Sequence, residues 1–307
     1  MKKGFSLIEG IIISFIIVSL AAMVLGLVSR SRALSRSMVC LNNLRQISMA
    51  IENYQADWKN SPTQLYNLFP NYIKDKYSFK CPEDKEVLSG DLPNKNSYGN
   101  FYVNRSFNDE DTSKLYLFCP RHFNGTKGVG AFLSYAANIM TNNPVTWNGE
   151  RMLPGQIKQG GTYKFVDGTI VTVDPSLNVG LCGSFVSPDD KHYSIIFVPE
   201  GASGSLTVDH QGDSRFEVVT PGLIAGVSGT KFTVNNIYDN TTNQAITTVS
   251  VSEGNVQSED RTDGTKDIIK PGKTISITVV CQKPDSTSEK TRSVPVRPLK
   301  KIKIVKF

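Results

Sequence analysis

From Ile11 to Val28 the chain is apolar at almost every position. Crossing a bilayer as a helix takes about 20 such residues. Beyond the run the pattern becomes periodic. Leu41, Leu44, Ile47, Ile51 and Tyr54 recur at spacings of three and four, which is one helical face, and Met49 and Ala50 add to it. No proline occurs before Pro62, so the pattern predicts one helix from about residue 5 to about residue 58. Its first half is apolar all round. Its second half has one face to bury against a soluble body.

The pattern then breaks. Pro62, Pro70, Pro82, Pro93 and Pro120 punctuate a stretch rich in Asn, Gly and Tyr, up to about residue 150. One short helix is expected at Thr63–Phe69, with Ser61 as cap and Pro62 at its first position. Strand-like pieces lie at Lys114–Phe118 and Phe132–Ala137. From Thr162 alternating β-branched runs take over. Asp167-Gly168 between Thr162–Val166 and Thr169–Val173 is a strong hairpin signal. Further strands are expected at Tyr193–Val198, Ser205–Val208, Arg215–Val219, Thr230–Val234 and Ala245–Val251. The fold class is therefore α+β: a long N-terminal helix carrying a small loop-rich head, then an all-β domain. A boundary is expected near Pro154-Gly155-Gln156, and a fragment of residues 156–290 is expected to fold by itself.

The apolar run carries one acid. Glu9 sits at its head, and an unpaired charge in lipid costs at least ~2.5 kcal/mol. The segment is too long for a secretory signal core, and Ser29-Arg30-Ser31-Arg32 is a poor cleavage site after it. A plain anchor has no use for Glu9. The residues Gly4-Phe5-Ser6-Leu7-Ile8-Glu9, followed by an uncharged apolar helix, closely resemble the processing site of type IV prepilins and pseudopilins. That resemblance implies cleavage between Gly4 and Phe5 by a prepilin peptidase on the cytoplasmic face, N-methylation of Phe5, and retention of the helix. It also implies that Glu9 pairs with the terminal amine of a neighbouring subunit as helices bundle, neutralising two charges in a dry place. Cys40-Leu41-Asn42-Asn43-Leu44-Arg45-Gln46, together with Lys80-Cys81-Pro82 and Phe118-Cys119-Pro120-Arg121-His122, is similar to a subgroup of pseudopilins.

Charge does not decide the orientation. Lys2 and Lys3 favour a cytoplasmic N-terminus, whereas Arg30, Arg32, Arg36 and Arg45 argue the reverse. The prepilin resemblance places residues 1–4 as a leader and 5–28 in the bacterial inner membrane. Residues 29–154 are then the spine helix and head outside it. The roughly 275 residues beyond the anchor are enough for two cores of ordinary size.

A second resemblance covers about residues 155–285. Phe216-Glu217-Val218-Val219-Thr220-Pro221, Ala225-Gly226-Val227-Ser228-Gly229-Thr230-Lys231-Phe232-Thr233-Val234 and Thr247 to Val256 are similar to the FecR family, an all-β periplasmic module. Gly226 and Gly229 are expected to serve turns at positive φ. The Arg usual before the second glycine is Ser228 here. Signalling members carry a cytoplasmic segment that binds a sigma factor; only three or four residues are available for that here, so the activity is not expected. Residues 286–307 form a basic tail with Arg292, Arg297, Lys300, Lys301, Lys303 and Lys306, read as a solvated tail or an alternating last strand at Lys301–Phe307.

Catalytic motifs are not found, and no enzymatic activity or cofactor is expected. His122, His192 and His210 are scattered, and no phosphate-binding glycine loop follows a strand. Cys119-x-x-His122 with Cys81 leaves three states open. A Cys81–Cys119 disulfide suits an extracytoplasmic compartment. Free buried thiols are the second. A metal is disfavoured, because zinc ligands usually come in pairs at both ends and Cys81 has no near partner. Five cysteines leave at least one unpaired within the monomer. Expected partners are the prepilin peptidase and methylase, other pilin or pseudopilin subunits and membrane lipid, with no nucleic acid. The reading is a structural subunit of a type IV pilus or type II secretion-like assembly displaying a β domain. A single-pass envelope sensor or ligand-binding protein using the prepilin route is the alternative.

Overall fold

The computed structural model describes residues 7–88, 90, 92–103, 105, 114–122, 126–132, 137–187, 190–281 and 300–306. Gly4 and Phe5, the expected processing site, lie outside the described residues, as do Arg292 and Arg297 of the basic tail.

Helix α1 runs unbroken from Leu7 to Trp58, 52 residues. At 1.5 Å per residue that is about 78 Å. Its apolar half is exposed along its length, Leu7, Phe15, Met23 and Leu27 included. Three serine hydroxyls within that half are satisfied internally. Ser14 and Ser19 donate to the carbonyls of Gly10 and Phe15 at 2.8 Å, and Ser29 to Gly26 at 2.9 Å. A hydroxyl bonded back to its own helix leaves no donor facing lipid. Among the described residues this is the helix long and apolar enough to cross a membrane. It stops at Lys59, which takes φ 56° and donates its N–H to the Gln55 carbonyl, a left-handed C-terminal cap ahead of Pro62.

The second half of α1 is the backbone of the head. Cys40, Leu41, Leu44, Ile47, Ala50 and Ile51 are buried, and Tyr54 packs beside them. Met49, expected on this face, is exposed instead, because it falls one residue off the three-and-four spacing. Around the helix lie single turns of 3-10 helix at Leu65–Leu68, Lys76–Phe79 and Gly99–Phe101, and a sheet of β1 (Leu115–His122), β2 (Lys127–Phe132) and β3 (Asn138–Thr141). The expected helix at Thr63–Phe69 shrinks to that first turn. Ser61 does not cap it; it accepts from Gln55 and donates to the Arg105 carbonyl.

Fourteen strands form the second sheet: β4 (Val145–Trp147), β5 (Glu150–Met152), β6 (Ile157–Lys164), β7 (Ile170–Val186), β8 (His192–Phe197), β9 (Gly204–His210), β10 (Arg215–Val219), β11 (Leu223–Val227), β12 (Thr230–Asp239), β13 (Gln244–Glu253), β14 (Val256–Asp260), β15 (Lys266–Ile269), β16 (Thr274–Val280) and β17 (Lys300–Lys306). The main path reads β15-β14-β11-β10-β8-β7-β9-β12-β13-β16-β17, with β6 on β7 and β4 between β5 and β6. Among the described residues the pairings are antiparallel, except that β8 and β10 run parallel. The sheet curls on itself, because Val256 and Ile269 from one end and Ile275, Ile277 and Val279 from the other enter one core. The expected hairpin is present: Tyr163 faces Val171, and Gly168 turns at φ 86°.

Gly229 turns at φ 64°, but Gly226 is extended within β11 and makes no turn. Lys300–Lys306 is a strand on β16. The expected boundary near residue 155 falls inside the sheet, since β4 and β5 precede it. Nor is that stretch a linker. Gly155 N–H donates to the Leu181 carbonyl at 2.7 Å, and Leu181 N–H to the Gln156 carbonyl at 3.1 Å.

Candidate functional site

Three sulfurs and an imidazole converge between the spine helix and the first sheet. Cys40 comes from α1, Cys81 from the loop after the second 3-10 turn, and Cys119 and His122 from β1. All four are fully buried, and their ligand atoms lie within 4.8 Å of one another. Cys81 Sγ is 3.5 Å from Cys119 Sγ. His122 Nε2 is 3.6 Å from Cys81 Sγ and 3.8 Å from Cys119 Sγ.

Local backbone geometry explains the convergence. In a regular strand residues three apart point to opposite faces. The pairing of β1 with β2 shifts register between Cys119 and His122, where Pro120 removes a ladder donor. That bulge brings both side chains to one side. The Cys81 loop is pinned on two sides. Its Cys81 N–H donates to Ser97 Oγ at 2.9 Å, and Asn43 of the helix donates to the Lys80 carbonyl at 2.9 Å. Tyr98 OH lies 3.5 Å from Cys40 Sγ and accepts from Asn43 at 3.3 Å.

The cluster favours one negative sulfur, Cys119: burial pushes the Cys40 thiol up, and the hydrogen bond to Cys119 does the same to Cys81. Burial by itself would push Cys119 up. Hydrogen bonds from Cys40, Cys81 and His122 and the charge of Arg121 hold it well below the ordinary thiol range. Arg121 is in turn fixed by Asp84 at 3.2 Å and by the Ser97 carbonyl at 2.6 Å. The backbone N–H of Glu83 also bonds toward the Cys81 thiol. All five cysteines are free thiols; Cys182 and Cys281 are buried elsewhere.

The structure thus brings together Cys81, Cys119 and His122, the three grouped in the sequence, and adds Cys40. Cys40 is not marked by ligand spacing, because paired zinc ligands usually lie a few residues apart. It comes from 41 residues upstream of Cys81. The signal was visible: three cysteines and one histidine in the head, each in a short distinctive motif. Glu9 is exposed in the first turn of α1. The other histidines serve structure. His210 is held by Thr169 at 2.6 Å and the Ser214 carbonyl at 2.7 Å.

A second buried polar group joins head to sheet. Arg105 of the head reaches Glu217 of β10 through a doubly bonded ion pair, and it also donates to Tyr193 OH at 3.0 Å and the Leu115 carbonyl at 2.5 Å. Tyr193 OH donates to Glu217 at 2.6 Å. Burial would raise the Glu217 carboxyl, but Arg105 and Arg215 hold it below the usual carboxylate range. Around this pair Phe101, Val103, Leu115, Phe118 and Met140 of the head pack on Phe185, Tyr193, Ile195, Phe197, Val219 and Ile224 of the sheet. Nothing in the local sequence marks Arg105 and Glu217 as partners, since they lie 112 positions apart.

Comparison with known proteins adds two families. Residues 158–257 match the family described as FecR protein. Residues 29–79 match one described as a protein of unknown function, DUF1559. The first covers the curled sheet from β6 to β14, the second the packed half of α1 and the start of the head. No curated protein matches. Two crystal structures of a protein from Parabacteroides distasonis, whose name gives it a provisional anti-sigma factor role, share 18% identity over 46% of this chain. The TM-scores are 0.28 and 0.23, and the match spans 58% of those chains. Among the described residues the chain thus has one long apolar helix ahead of a β region whose residues 158–257 match the FecR family.

Proposed function

We propose that this chain is a membrane-anchored, pseudopilin-like structural subunit of a type IV pilus or type II secretion-like assembly, carrying its FecR-type domain outside the inner membrane. The observation that carries the reading is the division of α1. One uninterrupted helix has an exposed, wholly apolar first half and a second half whose buried face is the core of the head. A helix that only anchored a domain would have no need to continue as that domain's core. The DUF1559 match begins at residue 29, where the apolar run ends. The role is structural rather than enzymatic, and the partners are the prepilin peptidase and methylase, neighbouring subunits and lipid.

Processing is the first expected result. Mass spectrometry of protein from cells with a prepilin peptidase should find a mature chain beginning at methylated Phe5. An intact Met1 there would end the prepilin reading. Glycine leaves room for the peptidase, so a bulky residue at Gly4 should block the cut.

Assembly is the second. Glu9→Gln keeps the shape and removes the charge. Insertion and cleavage should remain normal while incorporation into sheared fibres falls at least about tenfold, the loss of roughly 1.4 kcal/mol or more of pairing. Wild-type incorporation would remove the pairing role. A chain found only as a discrete membrane protein, never in the sheared fraction, would favour the sensor alternative.

A further inference from the structure

We infer that Cys40, Cys81, Cys119 and His122 form a closed tetrahedral site for one divalent zinc-type cation, which locks the spine helix to the head. This reverses the expectation of no metal, and it stands on the head alone, so it survives or fails separately from the pilin reading.

The geometry makes the case. A tetrahedral zinc ion with bonds of about 2.3 Å to sulfur and about 2.0–2.1 Å to nitrogen sets its ligand atoms about 3.8 Å apart for two sulfurs and about 3.6 Å for sulfur and nitrogen. The Cys81–Cys119 separation is 3.5 Å, and His122 Nε2 stands 3.6 and 3.8 Å from those two sulfurs. The fourth atom, Cys40 Sγ, closes the set within 4.8 Å of the rest. Three thiolates and one imidazole are ligands that select zinc over magnesium or calcium. Four protein ligands leave no open position, so the site is structural rather than catalytic.

The surroundings fit an anionic metal complex. Zinc with three thiolates and a neutral imidazole carries one surplus negative charge. The Arg121 guanidinium next to Cys119 offsets it, and the Glu83 N–H bonds to the Cys81 sulfur. A Cys81–Cys119 disulfide would leave Cys40 and His122 buried with no such role. The location is also mechanical. Cys40 lies at the start of the packed half of α1, beyond the apolar run that ends at Val28, while the other three ligands belong to the loop and sheet around it. A bound ion would tie these two parts at the point where force along a fibre would pass from helix to head. Binding would release the remaining thiol protons to solvent.

The test uses the full chain, purified in detergent under argon with no added thiol and without a metal-binding tag. Elemental analysis should find one zinc per chain, and X-ray absorption should find a first shell of three sulfurs and one nitrogen. Replacing zinc with Co2+ should give the visible bands of tetrahedral cobalt and a sulfur-to-cobalt band in the near ultraviolet. Cys40→Ser and Cys119→Ser should lower zinc content at least about tenfold. Cys182→Ser and Cys281→Ser should leave it unchanged. His122→Cys guards against loss of folding: four thiolates should still hold one ion, with the cobalt bands shifted to longer wavelength. Chains free of zinc, with Cys81 and Cys119 joined in a product two hydrogens lighter, would overturn the assignment in favour of the disulfide. Zinc retained in Cys40→Ser and Cys119→Ser would overturn it by placing the metal elsewhere.

Discussion

Glu217→Gln should destabilise the fold by about 3–5 kcal/mol, the usual cost of removing one partner from a buried ion pair. Arg105 and Glu217 are both almost completely buried, with side-chain exposures of 0% and 1%. The variant leaves the Arg105 guanidinium charged in a dry site, and Tyr193 loses its carboxylate acceptor. The double variant Arg105→Met with Glu217→Leu should recover most of the loss, because packed apolar side chains of similar volume are often as good as a buried pair. Urea unfolding of a fragment of residues 29–307 measures both, since the omitted apolar half of α1 makes no core contacts. Single and double variants equally destabilised would show that the pair contributes through more than its charge.

The same pair predicts acid sensitivity. The folded state holds Glu217 below its unfolded value. A depressed carboxylate contributes stability that is complete above the unfolded value of about 4.3 and is lost as pH falls through the lower folded value. Urea midpoints of the wild type should therefore drop more steeply below about pH 4 than those of the Arg105→Met, Glu217→Leu variant. Parallel curves would remove Glu217 from the cause.

A fragment of residues 156–290 should fail as a stable monomer, contrary to the independence expected from the sequence. Cutting there removes β4, β5 and β17 from the sheet. It also bares the face of Phe185, Tyr193, Ile195, Phe197, Val219 and Ile224 that packs on the head. Large apolar side chains contribute about 1.5–3 kcal/mol each when buried. Six of them together reach on the order of 10 kcal/mol, the size of a whole domain's stability. The fragment should aggregate or bind a hydrophobic dye, while residues 29–307 should stay soluble and unfold cooperatively. A monomeric 156–290 fragment with a sharp melting transition would restore two independent domains.

Much of the fold could be read from the chain because local physics set it. The apolar run and the three-and-four spacing of Leu41, Leu44, Ile47 and Ile51 can be satisfied only by a helix, and α1 ends at Trp58, where that reading put it. Arg215–Val219 was bounded correctly by alternation and turns alone. The reading failed where a residue's state depends on distant chain. Gly226 is extended because β10 and β14 pair on both sides of it, a fact its neighbours do not carry. β4 and β5 looked like part of a loop-rich head, since three-residue strands leave almost no periodicity to detect.

The chain by itself determined the elements that a few neighbouring residues can specify: the long helix, the Asp167-Gly168 hairpin and the succession of short strands. It also placed Cys81 and Cys119 in conspicuous motifs. Only the tertiary structure decided that Cys40 completes the cluster of Cys81, Cys119 and His122, that Arg105 meets Glu217, and that head and sheet share a core. The physical reason is sequence distance. Side-chain periodicity reports which way a residue faces, but not which residue 40 or 100 positions away will meet it there. That depends on a bulge in β1, the docking of β1 and β2 on α1, and the curl of the second sheet.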